Sequence, residues 1–106
     1  MTDKCQIGSI ADFPKGEVRP SMLLDGTVIA VYNVDGMLYV TADRCTHGDA
    51  SLSDEGTLCG RIVECPWHYG TFDVTTGAAV SLPCSIPLKT YAVAIVGDDV
   101  YVQDAG

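Results

Sequence analysis

The chain has 106 residues, 47% of them hydrophobic, and a net charge of −8 from 14 acidic against 6 basic side chains. That length fits one domain, and the hydrophobic fraction excludes a disordered chain. The acidic balance excludes a nucleic-acid binder, which needs clustered Lys and Arg for phosphate; a soluble acidic surface, or a surface for a basic protein partner, fits it. No apolar run approaches the ~20 residues that span a bilayer. The start, "MTDKCQIGSI", has no long apolar stretch behind a basic one, so a cytoplasmic protein without membrane contact is expected.

In chain order, "SIADFPKGE" (9–17) has room for one helical turn before Pro14. "TVIAVYNV" (27–34) and "MLYVTA" (37–42) alternate β-branched or aromatic residues with others, as half-buried strands do. Asp25-Gly26 precedes the first and Asp35-Gly36 joins the two; Asp-Gly between apolar runs is a strong hairpin signal. "YAVAIV" (91–96) and "VYVQ" (100–103) repeat the pattern around "GDD" (97–99). Strands at this spacing predict an all-β, antiparallel sandwich or barrel. No repeat, linker or long helical period interrupts it.

Residues 43–88 read differently. They hold five glycines (48, 56, 60, 70 and 77), Pro66, Pro83 and Pro87, both histidines and four of the five cysteines. A loop-rich stretch of that length inside a small domain usually carries function. One domain over residues 1–106 is expected, with a loop-rich subdomain at about 43–88 laid on the β scaffold.

The cysteines are Cys5, Cys45, Cys59, Cys65 and Cys84. An odd count behind no leader segment argues against a disulfide framework and for metal chemistry. The only two histidines fall into matched pairs, Cys45-x-His47 and, after 17 intervening residues, Cys65-x-x-His68. Two thiolates and two imidazoles suit either one tetrahedral Zn²⁺ or a two-iron sulfur cluster. Zinc sites with this ligand set usually keep the two cysteines together and the two histidines together. Here each pair supplies one of each, which suits a cluster with sulfur ligands on one iron and nitrogen ligands on the other.

"CTHG…CPWH" resembles the Rieske [2Fe–2S] motif, in which two His replace two Cys on one iron. The stretches from "LYVTADRCTHG" to "TTGAAV" and "LPCSIPLKTYAVAIVGDDVYV" are similar to the small Rieske ferredoxins of bacterial ring-hydroxylating dioxygenase systems. The resemblance implies a Rieske-like sandwich or barrel whose 43–88 subdomain binds one [2Fe–2S] cluster. Cys45 and Cys65 would bind one iron, and His47 and His68 the other. It implies a one-electron carrier, not an enzyme. Its partners would be a flavin-dependent NAD(P)H reductase and a terminal ring-hydroxylating oxygenase. The small Rieske subunit of a nitrite reductase-type complex is the alternative, and a structural zinc module a more distant one.

The resemblance also ranks this chain among Rieske proteins. High-potential members carry a second cysteine in each loop and two hydroxyls beside the cluster. The matching positions here hold Ala50 and Trp67, then Gly70 and Phe72. Fewer hydrogen bonds to sulfur stabilise added negative charge less, so a potential at the low end is expected. Backbone N–H groups around Gly48, Asp49, Tyr69 and Gly70 remain as donors, Pro66 stiffens the second loop, and Pro83 and Pro87 brace the segment after it. Cys5 and Cys59 are expected as small buried hydrophobes, and Cys84 as a passive thiol. Asp43, Asp49, Asp54, Glu55, Glu64 and Asp73 are candidates for an acidic docking face or a solvated surface.

Overall fold

The run "VIAVYNV" becomes a strand buried on both faces, and the architecture follows from that. The computed structural model describes residues 5–46, 50–66, 70–81 and 86–104. Strands β1 (Cys5–Ser9), β2 (Val18–Met22), β3 (Val28–Val34), β4 (Met37–Ala42), β9 (Thr90–Val96) and β10 (Asp99–Asp104) form one antiparallel sheet in the order β1-β10-β9-β4-β3-β2. Its two edges approach each other: the Ser21 hydroxyl on β2 donates to the Ile7 carbonyl on β1 at 2.7 Å, so the sheet is nearly a closed barrel. Ile29 and Val31 of β3 fill the interior with Phe13, Leu38, Val40, Tyr91, Val100 and Val102. Ala30 and Tyr32, on the opposite face of the same strand, enter a second core with residues of the 43–88 segment. The period-2 geometry of a strand makes this division, and burial of both faces explains why β3 is nearly all apolar.

The expected strands at 27–34, 37–42, 91–96 and 100–103 all form, within one residue at most ends. Between β3 and β4 only Asp35 and Gly36 remain, with Val34 paired to Met37. Their φ angles are 52° and 92°, the pair of positive values that a type I′ turn requires. The single helical turn expected before Pro14 is a 3-10 turn at Ile10–Asp12. Two strands escaped the sequence pattern. β1 carries Gly8 at a register shift, and β2 carries Pro20, which is tolerated because β2 is an edge strand.

The middle of the chain is loop-rich as expected, but it also carries regular structure that the pattern did not show. It holds a short helix, α1 (Leu52–Glu55), and four three-residue strands: β5 (Thr57–Cys59), β6 (Ile62–Glu64), β7 (Thr71–Asp73) and β8 (Ala79–Ser81). These form a second antiparallel sheet in sequential order. Three residues are too few for alternation to register in a sequence. The segment leaves the barrel after β4 and returns at β9, and those two strands pair through Val40–Tyr91 and Thr41–Thr90. The Ala42 amide donating to the Lys89 carbonyl at 2.9 Å closes the excursion. The described residues between β4 and β9 thus form one protrusion, packed against the outward face of β3 through Ala30 and Tyr32.

Asn33 ties a long connection to this scaffold. It is buried, its Nδ2 donates to the Phe13 carbonyl at 2.7 Å, and its Oδ1 accepts from the Gly36 amide at 2.7 Å. Replacing Asn33 with alanine strands both partners and should cost about 2–3 kcal/mol, a drop of roughly 10 °C or more in Tm for a domain of this size. Thermal unfolding followed by circular dichroism measures it; an unchanged Tm would show that the bonds contribute nothing net.

Candidate metal centre

Two loops in the protrusion are built alike. In the first, Arg44 bridges Ser51 in antiparallel fashion, and the next residue, Cys45, donates its amide to the Ala50 carbonyl at 2.9 Å. In the second, Glu64 pairs with Thr71, and the next residue, Cys65, donates its amide to the Gly70 carbonyl at 2.8 Å. Each cysteine therefore opens a four-residue loop, 46–49 or 66–69, closed by a bond to the residue five positions on. His47 belongs by sequence to the first loop and His68 to the second. Both histidines lie outside the described residues, as do Gly48, Asp49, Trp67, Tyr69, Pro83 and Cys84.

The cysteines themselves are deeply placed. Cys45 is 1% exposed and Cys65 0%, and they share one core with Ala50, Leu52, Val63, Phe72, Val74 and Leu88. Neither is in a disulfide. Two buried sulfur donors at equivalent points of twin loops, each loop also containing an imidazole in its sequence, fit a mixed sulfur–nitrogen metal centre. Ala50 is buried where a high-potential Rieske protein would carry a thiol, and Phe72, fully buried, offers no hydroxyl to the core that holds both cysteines.

The loops are held from three sides. Asp43, at the foot of the first, accepts at Oδ2 from the Ser51 hydroxyl (2.6 Å) and at Oδ1 from the Ser53 amide (2.8 Å), while its carbonyl accepts from the Leu52 amide (2.8 Å). Ser51 also caps α1 by accepting from the Asp54 amide. The Thr46 hydroxyl donates to the Ile86 carbonyl at 2.6 Å, which anchors the returning segment beside the first loop. From the barrel side, the Tyr32 hydroxyl bonds Thr41 Oγ1 at 2.8 Å. Burial, the dominant influence, raises the Tyr32 phenol well above its ordinary range despite that bond; the ring is a neutral neighbour of the Cys45 core.

The sequence reading missed Asp43, Ser51, Ser53 and Tyr32 as site supports. Only the S-x-x-D pattern at Ser51 carried a signal, as a helix cap. Several expectations need correction. Cys59, expected to be buried, is exposed at the β5–β6 turn, where no core reaches it. Cys5 is half-buried and packs on the barrel core. Among the six candidate docking acids, Asp54, Glu55 and Glu64 are exposed, whereas Asp43 is 8% exposed and does structural work. Asp73 is half-buried and paired with Arg61 at 3.2 Å. Burial pushes its carboxyl up, but the Thr75 hydrogen bonds and Arg61 outweigh that and leave it below its ordinary value. Pro66 and Pro87 are both exposed.

Twin cysteine-led loops raised on an antiparallel barrel define a small metal-centre protein, and comparison with known proteins identifies the centre. The Rieske [2Fe-2S] domain family matches residues 3–92. The chain is 40% identical over 103 residues to the ferredoxin component of the p-cumate 2,3-dioxygenase system of Pseudomonas putida, covering 97% of this chain and 87% of that protein. The structure of the Sphingomonas yanoikuyae B1 ferredoxin superposes with a TM-score of 0.89 at 44% identity, covering 95% and 98% of the two chains. A chain in the complex of reduced oxygenase and oxidized ferredoxin of carbazole 1,9a-dioxygenase superposes at 0.87 with 40% identity, covering 95% and 93%. The chain belongs to the Rieske [2Fe–2S] domain family, and its cofactor is a single Rieske-type [2Fe–2S] cluster. No helix among the described residues is long and apolar enough to cross a membrane.

Proposed function

We propose that this chain is the ferredoxin component of an aromatic-ring dioxygenase system: a one-electron carrier, not a catalyst, that delivers electrons to a terminal oxygenase. The observation that carries this reading is the twin-loop site in a chain that matches dioxygenase ferredoxin components over nearly its whole length. The Cys45 and Cys65 thiolates hold one iron, and the His47 and His68 imidazoles hold the other. The bound cluster supplies reversible one-electron chemistry, neutral when oxidised with neutral imidazoles and −1 when reduced.

The chain's own residues do the rest. Leu52, Val63, Phe72, Val74 and Leu88 keep water from the sulfur side. The imidazole edges, set in loops flanked by exposed Pro66 and Ile86, form the exit toward a partner. No further histidine exists to build a mononuclear oxygen-activating site, which agrees with a carrier role. The electron source is a flavin-containing, NAD(P)H-oxidising reductase, and the compartment is the cytoplasm. Exposed Asp54, Glu55 and Glu64, on a chain of net charge −8, favour partners with basic docking faces. One domain, residues 1–106, carries all of this, with the cluster in the 43–88 subdomain.

Gly70 and Phe72 place no hydroxyl on the cluster sulfurs, so the midpoint is expected near the low end of the Rieske range, roughly −150 mV. A spectroelectrochemical titration of the holoprotein measures it, and the reduced protein should then re-oxidise on mixing with a ring-hydroxylating oxygenase. A strongly positive midpoint sinks the low-potential assignment. A colourless protein holding one zinc sinks the carrier itself.

A further inference from the structure

The carboxylate of Asp43 stands two residues before Cys45 in a setting that sequence alone does not suggest. The residue is 8% exposed. Its hydrogen-bond donors among the described residues, the Ser51 hydroxyl and the Ser53 amide, are uncharged. These bonds hold the carboxylate at the foot of the first loop, and the Leu52 amide on the Asp43 carbonyl (2.8 Å) fixes its backbone as well. A buried charge is screened far less than a surface one, and neutral donors spread its field without cancelling it.

We propose that Asp43 is a positioning residue with an electrostatic role: it clamps the first ligand loop, and its fixed negative charge lowers the reduction potential of the centre that the loop holds. This rests on the reading of Cys45 as an iron ligand. Reduction adds one electron and hence one negative charge. A nearby carboxylate disfavours the reduced form and leaves the oxidised form comparatively untouched. At an effective dielectric of about 20, a unit charge in the neighbourhood of a redox centre biases a one-electron equilibrium by on the order of tenfold. The low potential then has two sources in this chain: hydroxyls missing beside sulfur, and a carboxylate buried at the foot of the first loop.

The test is the midpoint potential of the holoprotein in three forms: wild type, Asp43→Asn and Ser51→Ala. Asp43→Asn keeps the shape and removes the charge. It should raise the reduced-to-oxidised ratio at fixed poise about tenfold, a shift of about +59 mV for one electron, with two irons per chain and the visible spectrum retained. Ser51→Ala keeps the charge and removes a donor that spreads it, so its midpoint should fall. Opposite signs separate charge from loosening, because loop disorder would move both variants the same way. Asp43→Asn with its cluster intact and its midpoint unchanged overturns the proposal. If Asp43→Asn fails to hold the cluster, Ser51→Ala decides: a fall supports the proposal, and no change or a rise overturns it. A wild-type chain that binds no two-iron cluster would instead defeat the ligand reading, so the two failures are distinct.

Discussion

Replacing Cys65 with alanine is expected to yield a colourless protein whose iron content falls from two per chain to nearly none. Cys65 is fully buried, its amide closes the second loop onto Gly70, and its sulfur shares a core with Cys45. On the proposed ligand set, removing it leaves one thiolate where an iron needs two from the protein, and the other four cysteines offer no substitute. Cys45 already serves, Cys59 is exposed at the far turn of the β5–β6 hairpin, and Cys5 packs against the barrel core. Cys84, in the segment that follows β8, is expected to stay passive. Because metal binding adds its free energy to folding, the same variant should also melt well below the wild type. Iron assay, visible absorption and thermal unfolding of the purified chain measure all of this. The matched control is Cys59→Ser, expected to keep both colour and Tm. A Cys65→Ala protein with an unaltered spectrum would sink the ligand assignment.

The largest purely structural effect is expected at Gly77, which looks in sequence like an ordinary turn glycine. It is buried, and its φ is +80°, a region that costs an L-residue about 1–2 kcal/mol. A Cβ there would fall inside contact distance of the Leu88 carbonyl oxygen and 2.8 Å from Thr90 Cγ2. Backbone cannot yield as a flexible side chain does, so overpacking adds about 1–3 kcal/mol. Gly77 is also a junction: its amide donates to the Asp73 carbonyl at 2.7 Å, and its carbonyl accepts from the Leu88 amide at 2.7 Å. Through Leu88 it holds the segment that Thr46 anchors beside the first loop. Gly77→Ala should therefore lower Tm by more than about 10 °C and lose iron faster to a chelator. A Tm within a degree or two of wild type would mean that the junction relaxes without cost.

The parts of this fold that were legible had physical signals longer than a few residues. The β3–β4 and β9–β10 hairpins have strands of six or seven residues. That is enough for alternation to show, and Asp35-Gly36 is one of the few residue pairs suited to the type I′ turn between its strands. The proposed metal ligands stand out in the sequence for a different reason. Cysteine and histidine at Cys45, His47, Cys65 and His68 are rare residues at a spacing that packing alone does not produce. The second sheet was not legible, because its strands are three residues each and only pairing with neighbours makes them strands. The acid at 43 could not be told from the acid at 54: one carboxylate is buried under two hydrogen bonds and the other meets water.

The amino-acid sequence alone determined the chemistry of the centre, since donor atoms belong to residue types and survive any arrangement of the chain. It also determined the long hairpins, whose signals are local. Only the tertiary structure decided that Cys45 and Cys65 occupy equivalent places in twin loops, that Cys59 is left in solvent, that Gly77 has no room for a methyl group, and that Asp43 is buried at the foot of the first loop. Each of these depends on what lies across from a residue rather than beside it in the chain. Burial and pairing arise only when β4 meets β9 and the protrusion between them closes.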